Sequence, residues 1–78
     1  MNSIENKLKK VFSTTFRIDE KYIKSSSNFK NIKKWDSLNH VRLILAIESK
    51  FKISIKPDDS VELLSFKEIC NYLQKNLK

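Results

Sequence analysis

The sequence predicts an all-α fold, a four-helix bundle with a short third helix and a long loop between helices 1 and 2. Four segments place apolar residues at the spacing of a helix face, and none alternates apolar and polar residues over the length of a strand. With 78 residues, 40% of them hydrophobic, we expect one modest core and a single domain over residues 1–78. Such a chain is too short for the cleft that most enzymes build, which argues against autonomous catalysis.

The first helix is predicted from about Ser3 to Phe16. Lysines occupy its outer surface, and its apolar face consists of Ile4, Leu8, Val11 and Phe12. Residues 17–36 lack a continuous apolar stripe and are predicted to form the long loop, with a short turn near Asp19 to Ile23. Loops longer than about 12 to 15 residues are uncommon in compact domains and often carry function.

The second helix, from Ser37 to about Phe51, is the strongest helix candidate. It contains no Gly or Pro, and Asp36 precedes it as an N-cap. Leu38, Val41, Leu45 and Glu48 fall on one strip, and further apolar residues widen the hydrophobic surface beyond it. We therefore expect this helix to be buried on more than one side.

Two helices are predicted in the last third of the chain. Pro57 suits the N1 or N-cap position of a brief helix from about Asp58 to Leu63, since Pro at a helix start costs no hydrogen bond. Ser65 and Glu68 form a capping box, so a final helix begins at Phe66. The apolar stripe of that helix is Phe66, Ile69, Cys70, Leu73 and Leu77.

The chain carries 16 basic and 9 acidic residues, a formal charge of +7. Residues 1–34 hold nine cations and three anions, whereas residues 35–78 hold seven cations and six anions. Such a charge attracts polyanions, so a small basic helical domain that binds nucleic acid or docks a protein partner is one interpretation. The sequence lacks a helix-turn-helix spacing, and the cations suit a solvated surface equally well. Nucleic acid is therefore not the expected partner.

A cytoplasmic monomer is expected. The single cysteine cannot form an intramolecular disulfide, and the first ten residues lack the apolar segment of a signal peptide. No run approaches the roughly 18 apolar residues of a spanning helix, so no membrane span is predicted.

The tripeptide Asp36-Ser37-Leu38 places a hydroxyl at the first turn of the second helix, directly after a carboxylate. The free N–H groups and the dipole of a helix start favour an attached anion, so a phosphodiester on Ser37 would be stabilised there. Asp36 would orient the hydroxyl or bind a metal during transfer by another enzyme. The same tripeptide is also common as a plain helix cap.

The stretch WDSLNHVRLILAIESKFKISI and the later SFKEICNYL resemble the acyl carrier protein family over essentially the whole chain. The resemblance implies that Ser37 receives 4′-phosphopantetheine from coenzyme A, delivered by a phosphopantetheinyl transferase that uses Mg²⁺. The arm would then hold an acyl or aminoacyl group as a thioester, and the chain would carry it without catalysing. The implied partners are the transferase and the enzymes that load and transfer acyl or aminoacyl groups.

The resemblance also implies roles for other residues. The residues expected to contact partner enzymes are Leu38, His40, Val41, Arg42 and Glu48. A pocket that could shelter part of an acyl chain would be formed by Leu45, Ile55, Val61, Leu63 and Ile69. Plain core packing is the alternative for most of these five.

Two residues depart from the common family pattern. Lys34 stands where many members have Gly, and Arg42 stands where the recognition helix usually carries Glu. Because the Arg42 change reverses a charge on the face that partner enzymes contact, we infer a specialised carrier with its own partner set.

Two further residues invite other kinds of chemistry. His40 lies one turn past Ser37, but no acid partner or oxyanion loop accompanies the pair, so hydrolysis is not expected and His40 should face solvent. Cys70 lies on the apolar stripe of the final helix and should be a buried thiol without a metal.

Overall fold

The computed structural model describes residues 3–76 and contains four α-helices in that range. The helices are α1 (Ser3–Phe16), α2 (Ser37–Phe51), α3 (Pro57–Ser60) and α4 (Phe66–Asn76), with a 3₁₀ turn at Glu20–Tyr22. No strand occurs among these residues, only one isolated antiparallel bridge between Asn28 and Ser65. The all-α prediction and the turn in the long loop are confirmed. None of the helices between residues 3 and 76 is long and apolar enough to cross a bilayer.

The third helix is shorter than predicted. Regular α-helix covers Pro57–Ser60, with Pro57 at the first helical position, instead of about Asp58 to Leu63. Beyond Ser60 the backbone continues in tighter turns, in which the Leu63 N–H donates to the Ser60 carbonyl at 3.2 Å. These turns bury Leu63 in the core and leave Val61 exposed. Leu77, predicted at the end of the last stripe, lies outside the described residues.

The core is centred on Phe12 of α1, which is fully buried. Its ring packs edge-to-face against Phe16, Trp35 and Phe66, with centroid separations of 5.5, 5.3 and 5.1 Å. Such aromatic pairs contribute about 0.5–1.5 kcal/mol each beyond their area burial. One side chain therefore joins the first helix, the end of the long loop and the start of α4.

The second helix buries one face only. That face consists of Leu43, Ile44 and Ile47. The strip formed by Leu38, Val41 and Leu45 is 62%, 56% and 59% exposed, so the expected burial on more than one side is wrong. The reason is that α2 packs chiefly against α1, and the short α3 leaves the outer surface of α2 uncovered.

The long loop is tied to the start of α4. The Phe29 N–H donates to the Leu64 carbonyl at 3.1 Å, and the Phe66 N–H donates to the Ser27 carbonyl at 2.8 Å. The loop ends in the buried Trp35, one residue before the N-cap of α2. The start of α2 is therefore held between the loop and the segment that joins α3 to α4.

Candidate functional site

Ser37 is the first residue of α2, and its side chain is exposed. Asp36 caps the helix, because its Oδ1 accepts the Asn39 N–H at 2.9 Å and its carbonyl accepts the His40 N–H at 2.8 Å. Among residues 3–76, the N–H groups of Ser37 and Leu38 and the Ser37 hydroxyl have no hydrogen-bond partner. Free N–H groups at a helix start stabilise an anion, so this position suits an anionic group on the Ser37 oxygen.

Asp36 is exposed and lies directly beside Ser37 in the chain. Its Oδ1 holds the cap, and within the described part of the chain its Oδ2 has no partner. The predicted capping role is confirmed. The second oxygen is open to solvent-borne partners, and its use in orienting the hydroxyl or binding a metal stays a prediction.

His40 joins three parts of the chain through both ring nitrogens. The Trp35 Nε1–H donates to His40 Nδ1 at 3.0 Å, and His40 Nε2 lies 2.8 Å from the Ser60 carbonyl oxygen. Because an indole N–H only donates, Nδ1 must accept, and Nε2 carries the proton that it donates to Ser60. The imidazole also stacks on Trp35, with an interplanar angle of 19°. The expectation that His40 faces solvent is therefore wrong: it is half-buried and couples α2 to α3.

Replacing His40 by alanine is expected to lower the free energy of unfolding by about 1–3 kcal/mol, because the buried Trp35 N–H loses its acceptor. Urea denaturation followed by circular dichroism measures the change. Arg42→Ala is the matched control on the same helix, since Arg42 is exposed and a surface change of this kind stays within about 0.5 kcal/mol. Equal unfolding midpoints for the two variants would contradict the role assigned to the Trp35–His40 bond.

A cavity of about 370 Å³ opens beside Ser37. Its walls come from three parts of the chain. The loop contributes Phe29, and the connection from α3 to α4 contributes Val61 and Leu64. The start of α2 and the two residues before it contribute Trp35, Asp36, Ser37 and His40. Pockets that bind small ligands measure about 300–1,000 Å³ and are mostly apolar with a few polar groups. This cavity lies at the small end of that range and could hold a short apolar group next to Ser37.

The five residues predicted to form an acyl pocket do not gather in one cavity. Val61 lines the cavity beside Ser37, whereas Leu45 lies on the exposed surface of α2. Ile55, Leu63 and Ile69 are buried in the core, which agrees with the alternative of plain core packing.

Sequence reasoning did not single out Phe29, Trp35 and Leu64 as pocket residues. The sequence shows only that these three residues are apolar and stand in connecting segments. Their convergence depends on the bridge between the loop and the start of α4, a contact between residues far apart in the chain.

The residues predicted to contact partner enzymes divide into two groups. Leu38, Val41 and Arg42 are exposed on the outer surface of α2. His40 is engaged as described, and the carboxylate of Glu48 accepts the Ile55 N–H at 2.7 Å. Glu48 therefore holds the connection from α2 to α3 and does not extend freely into solvent.

Cys70 is buried among the core residues of α4, with 6% of its surface exposed. Burial raises the pKa of its thiol to about 11, so the thiol is protonated near neutral pH. The prediction of a buried thiol is confirmed. Within residues 3–76 no three His, Cys, Asp or Glu side chains are grouped so that they could hold a metal ion.

Comparison with known proteins places this site within a family pattern. Residues 6–73 match the family model described as a phosphopantetheine attachment site. The chain is 33% identical over 78 residues to "Acyl carrier protein" of Buchnera aphidicola, covering 100% of this chain and 99% of that protein. It is 29% identical over 75 residues to "Acyl carrier protein 2" of Pseudomonas aeruginosa, covering 96% of this chain and 95% of that protein. The matched range contains Ser37 and every residue that lines the adjacent cavity.

Proposed function

The chain belongs to the acyl carrier protein family, whose cofactor is a covalent 4′-phosphopantetheine group, and from that premise we propose that it carries acyl or aminoacyl groups on Ser37 for partner enzymes. The terminal thiol of the bound group supplies the atom on which such a cargo is held as a thioester. The family is one of non-catalytic carriers. The task of this chain is therefore to offer the attachment oxygen, present the cargo and be recognised.

The observation that carries the proposal is the exposed Ser37 hydroxyl at the start of α2. It has no partner among residues 3–76, and the N–H groups of Ser37 and Leu38 beside it are free. A phosphodiester on this oxygen would be favoured by those N–H groups and by the helix dipole. By contrast, the hydroxyls of Ser60 and Ser65 are already bonded, to the Pro57 carbonyl and to Glu68.

Asp36 supports the transfer step in this proposal. Its Oδ1 is fixed by the cap, which holds the carboxylate beside Ser37, and Oδ2 remains available. A carboxylate oxygen there can orient the Ser37 hydroxyl or complete the coordination of the Mg²⁺ that the transferase uses, since Mg²⁺ prefers oxygen ligands.

The cavity beside Ser37 supports partial shelter of the cargo. Phe29, Val61 and Leu64 give it apolar walls, and its volume of about 370 Å³ suits a short acyl group. A long acyl chain would have to displace core side chains such as Ile55 and Ile69, which are closely packed. The structure therefore favours a short cargo, or a longer one held only in part.

We expect the purified chain to gain the mass of phosphopantetheine when incubated with coenzyme A, Mg²⁺ and a broad-specificity phosphopantetheinyl transferase. It should gain one reactive thiol at the same time. Before modification, a maleimide at neutral pH should leave the native protein unlabelled, because Cys70 is buried and burial raises the pKa of its thiol to about 11. Intact-mass spectrometry measures both changes.

An unchanged mass would contradict the carrier proposal if the same transferase modifies the Pseudomonas aeruginosa relative in a parallel reaction. If this chain stayed unmodified and were retained on DNA or RNA in a salt-sensitive way, the result would favour the alternative of a basic nucleic-acid-binding domain without a phosphopantetheine arm. Labelling of the native protein before modification would instead show that Cys70 is accessible.

A further inference from the structure

The exposed apolar strip of α2, Leu38, Val41 and Leu45, begins at the residue after Ser37 and is called the apolar stripe below. The three side chains recur at the spacing of one helix face and are more than half exposed. Adjacent exposed hydrophobic side chains of this kind mark interaction surfaces.

A row of cations borders the apolar stripe on the side that faces α1. The Asn39 side chain donates to the Lys34 carbonyl at 2.8 Å, which places Lys34 beside the first turn of α2. Arg42 follows Asn39 by three residues, and Lys50 follows Arg42 by eight, so they lie along one side of the helix about 12 Å apart. Lys10 of α1 and Lys50 line the same groove between the two helices. Lys10, Lys34, Arg42 and Lys50 are called the basic flank.

Nothing in the described chain neutralises the basic flank. The groove between α1 and α2 is lined by Lys10 and Lys50 together with small, apolar and hydroxyl side chains, and by no acidic residue. Arg42 forms no ion pair with any residue between 3 and 76. The carboxylate of α2 itself, Glu48, is taken by the Ile55 N–H at 2.7 Å. The positive charge of the flank is therefore available to a partner.

The side of α2 that points away from Arg42 meets α3. Arg42 follows His40 by two residues, about 200° around the helix, and His40 bonds Ser60 of α3. The α3 segment is of mixed charge, since Lys56 precedes Asp58, and Asp59 is turned toward α4, where it accepts the Tyr72 hydroxyl at 3.1 Å. The unpaired positive charge therefore borders the apolar stripe on the α1 side, and a charge at one border favours one orientation of a docked partner.

We propose that the basic flank and the apolar stripe together form the docking surface for an enzyme that acylates this carrier, and that this enzyme meets the flank with an acidic surface. The inference rests on the proposed function, because it needs an enzyme that must reach the group on Ser37. The stripe extends about 12 Å along α2 from Ser37 to Leu45, so an enzyme engaged at Ser37 also covers the flank. Apolar contacts would supply binding affinity. The charge of the basic flank would raise the rate of association with an acidic partner and disfavour partners with a basic surface.

Charge reversal at Arg42 tests the proposal. The parent, Arg42→Glu and the control Lys67→Glu are produced in the source cell and isolated with their arms. Thioesters are then removed with hydroxylamine, and each protein is returned to an extract of the same cells. Intact-mass spectrometry follows the initial rate of reacylation at low and high salt. Lys67 is exposed on α4, outside the flank, and its substitution makes the same change of charge.

We expect Arg42→Glu to be reacylated roughly tenfold more slowly than the parent at low salt, with the difference shrinking at high salt. Lys67→Glu should keep the parent rate. Thermal melts of the three proteins check that the fold is unchanged, as expected for an exposed site filled by a good helix former.

Each of the other outcomes contradicts either the proposed function or the docking inference. A parent that bears no arm, or an arm that is never acylated, contradicts the proposed function itself. A parent that is reacylated no faster than Arg42→Glu overturns the docking inference alone, and an equal loss in Lys67→Glu shows a general charge effect. The same proteins are also sedimented with phosphatidylserine vesicles. If Arg42→Glu is reacylated normally but no longer binds vesicles that bind the parent, the basic flank contacts lipid and is not the docking surface for the acylating enzyme.

Discussion

Replacing Ser37 by alanine is expected to abolish addition of the phosphopantetheine mass and to leave the fold intact. The hydroxyl is exposed and has no partner among residues 3–76, so its removal costs no internal hydrogen bond. Asp36 still caps α2 through the Asn39 N–H, and alanine is a good helix former. The loss is complete because no other atom of residue 37 can replace the attacking oxygen. Intact-mass spectrometry after incubation with the transferase measures the result.

The matched control is Ser49→Ala, which removes an exposed hydroxyl from the same helix. This variant should gain the same mass as the parent at the same rate. A mass gain in Ser37→Ala would contradict the assignment of the attachment site, and fragmentation of the modified protein would identify the serine that replaces it. Failure of both variants would point to damage of α2 as a whole.

The start of α2 could be predicted because its determinants are local. Asp36 bonds the N–H three residues later, and this contact depends only on neighbouring residues. The same applies to the start of α4, where the Ser65 Oγ accepts the Glu68 N–H at 3.1 Å. Because both caps can be recognised in the sequence, the position of Ser37 at the start of a helix could be predicted from the sequence alone.

The surroundings of Ser37 could not be predicted in the same way, because they depend on contacts between distant residues. His40 is half-buried because Ser60, twenty residues away, and Trp35 at the end of the loop both reach its ring. The spacing of Leu38 and Leu45 shows that they share a face, but whether that face is covered depends on which helices pack beside it. The exposed stripe therefore becomes visible only when α3 is seen to be four residues long.

The net charge of +7 can be interpreted only when the positions of the charged residues in the fold are known. Counted along the chain, it suggested a polyanion as partner. In the folded chain Arg42 and Lys50 lie on the α1 side of the apolar stripe, and no acidic residue lines the groove that Lys50 shares with Lys10. Such a surface can discriminate between partners by the sign of the charge that they bring to that border, without any change of fold.

Replacing Phe12 by alanine is expected to destabilise the domain by about 3–5 kcal/mol, the usual cost of removing a buried aromatic side chain. The ring is fully buried and touches Trp35 and Phe66, so the cavity left behind would open at the centre of the core. A domain of this size has a total stability of about 4–12 kcal/mol, so the variant should lose between about a quarter and all of it. Guanidinium denaturation followed by near-ultraviolet circular dichroism measures the loss.

The loss of the Phe12 side chain should also affect the attachment site, because Trp35 packs on Phe12 and stands one residue before Asp36. Without that support the cap of α2 is no longer held in place, and arm addition to Ser37 should slow in proportion to the unfolded fraction. Phe29→Ala is the matched control, since Phe29 lies at the exposed cavity and its loss should cost about 1 kcal/mol or less. Phe12→Leu, which keeps much of the volume, should fall between the two. Equal midpoints for Phe12→Ala and Phe29→Ala would contradict a core centred on Phe12.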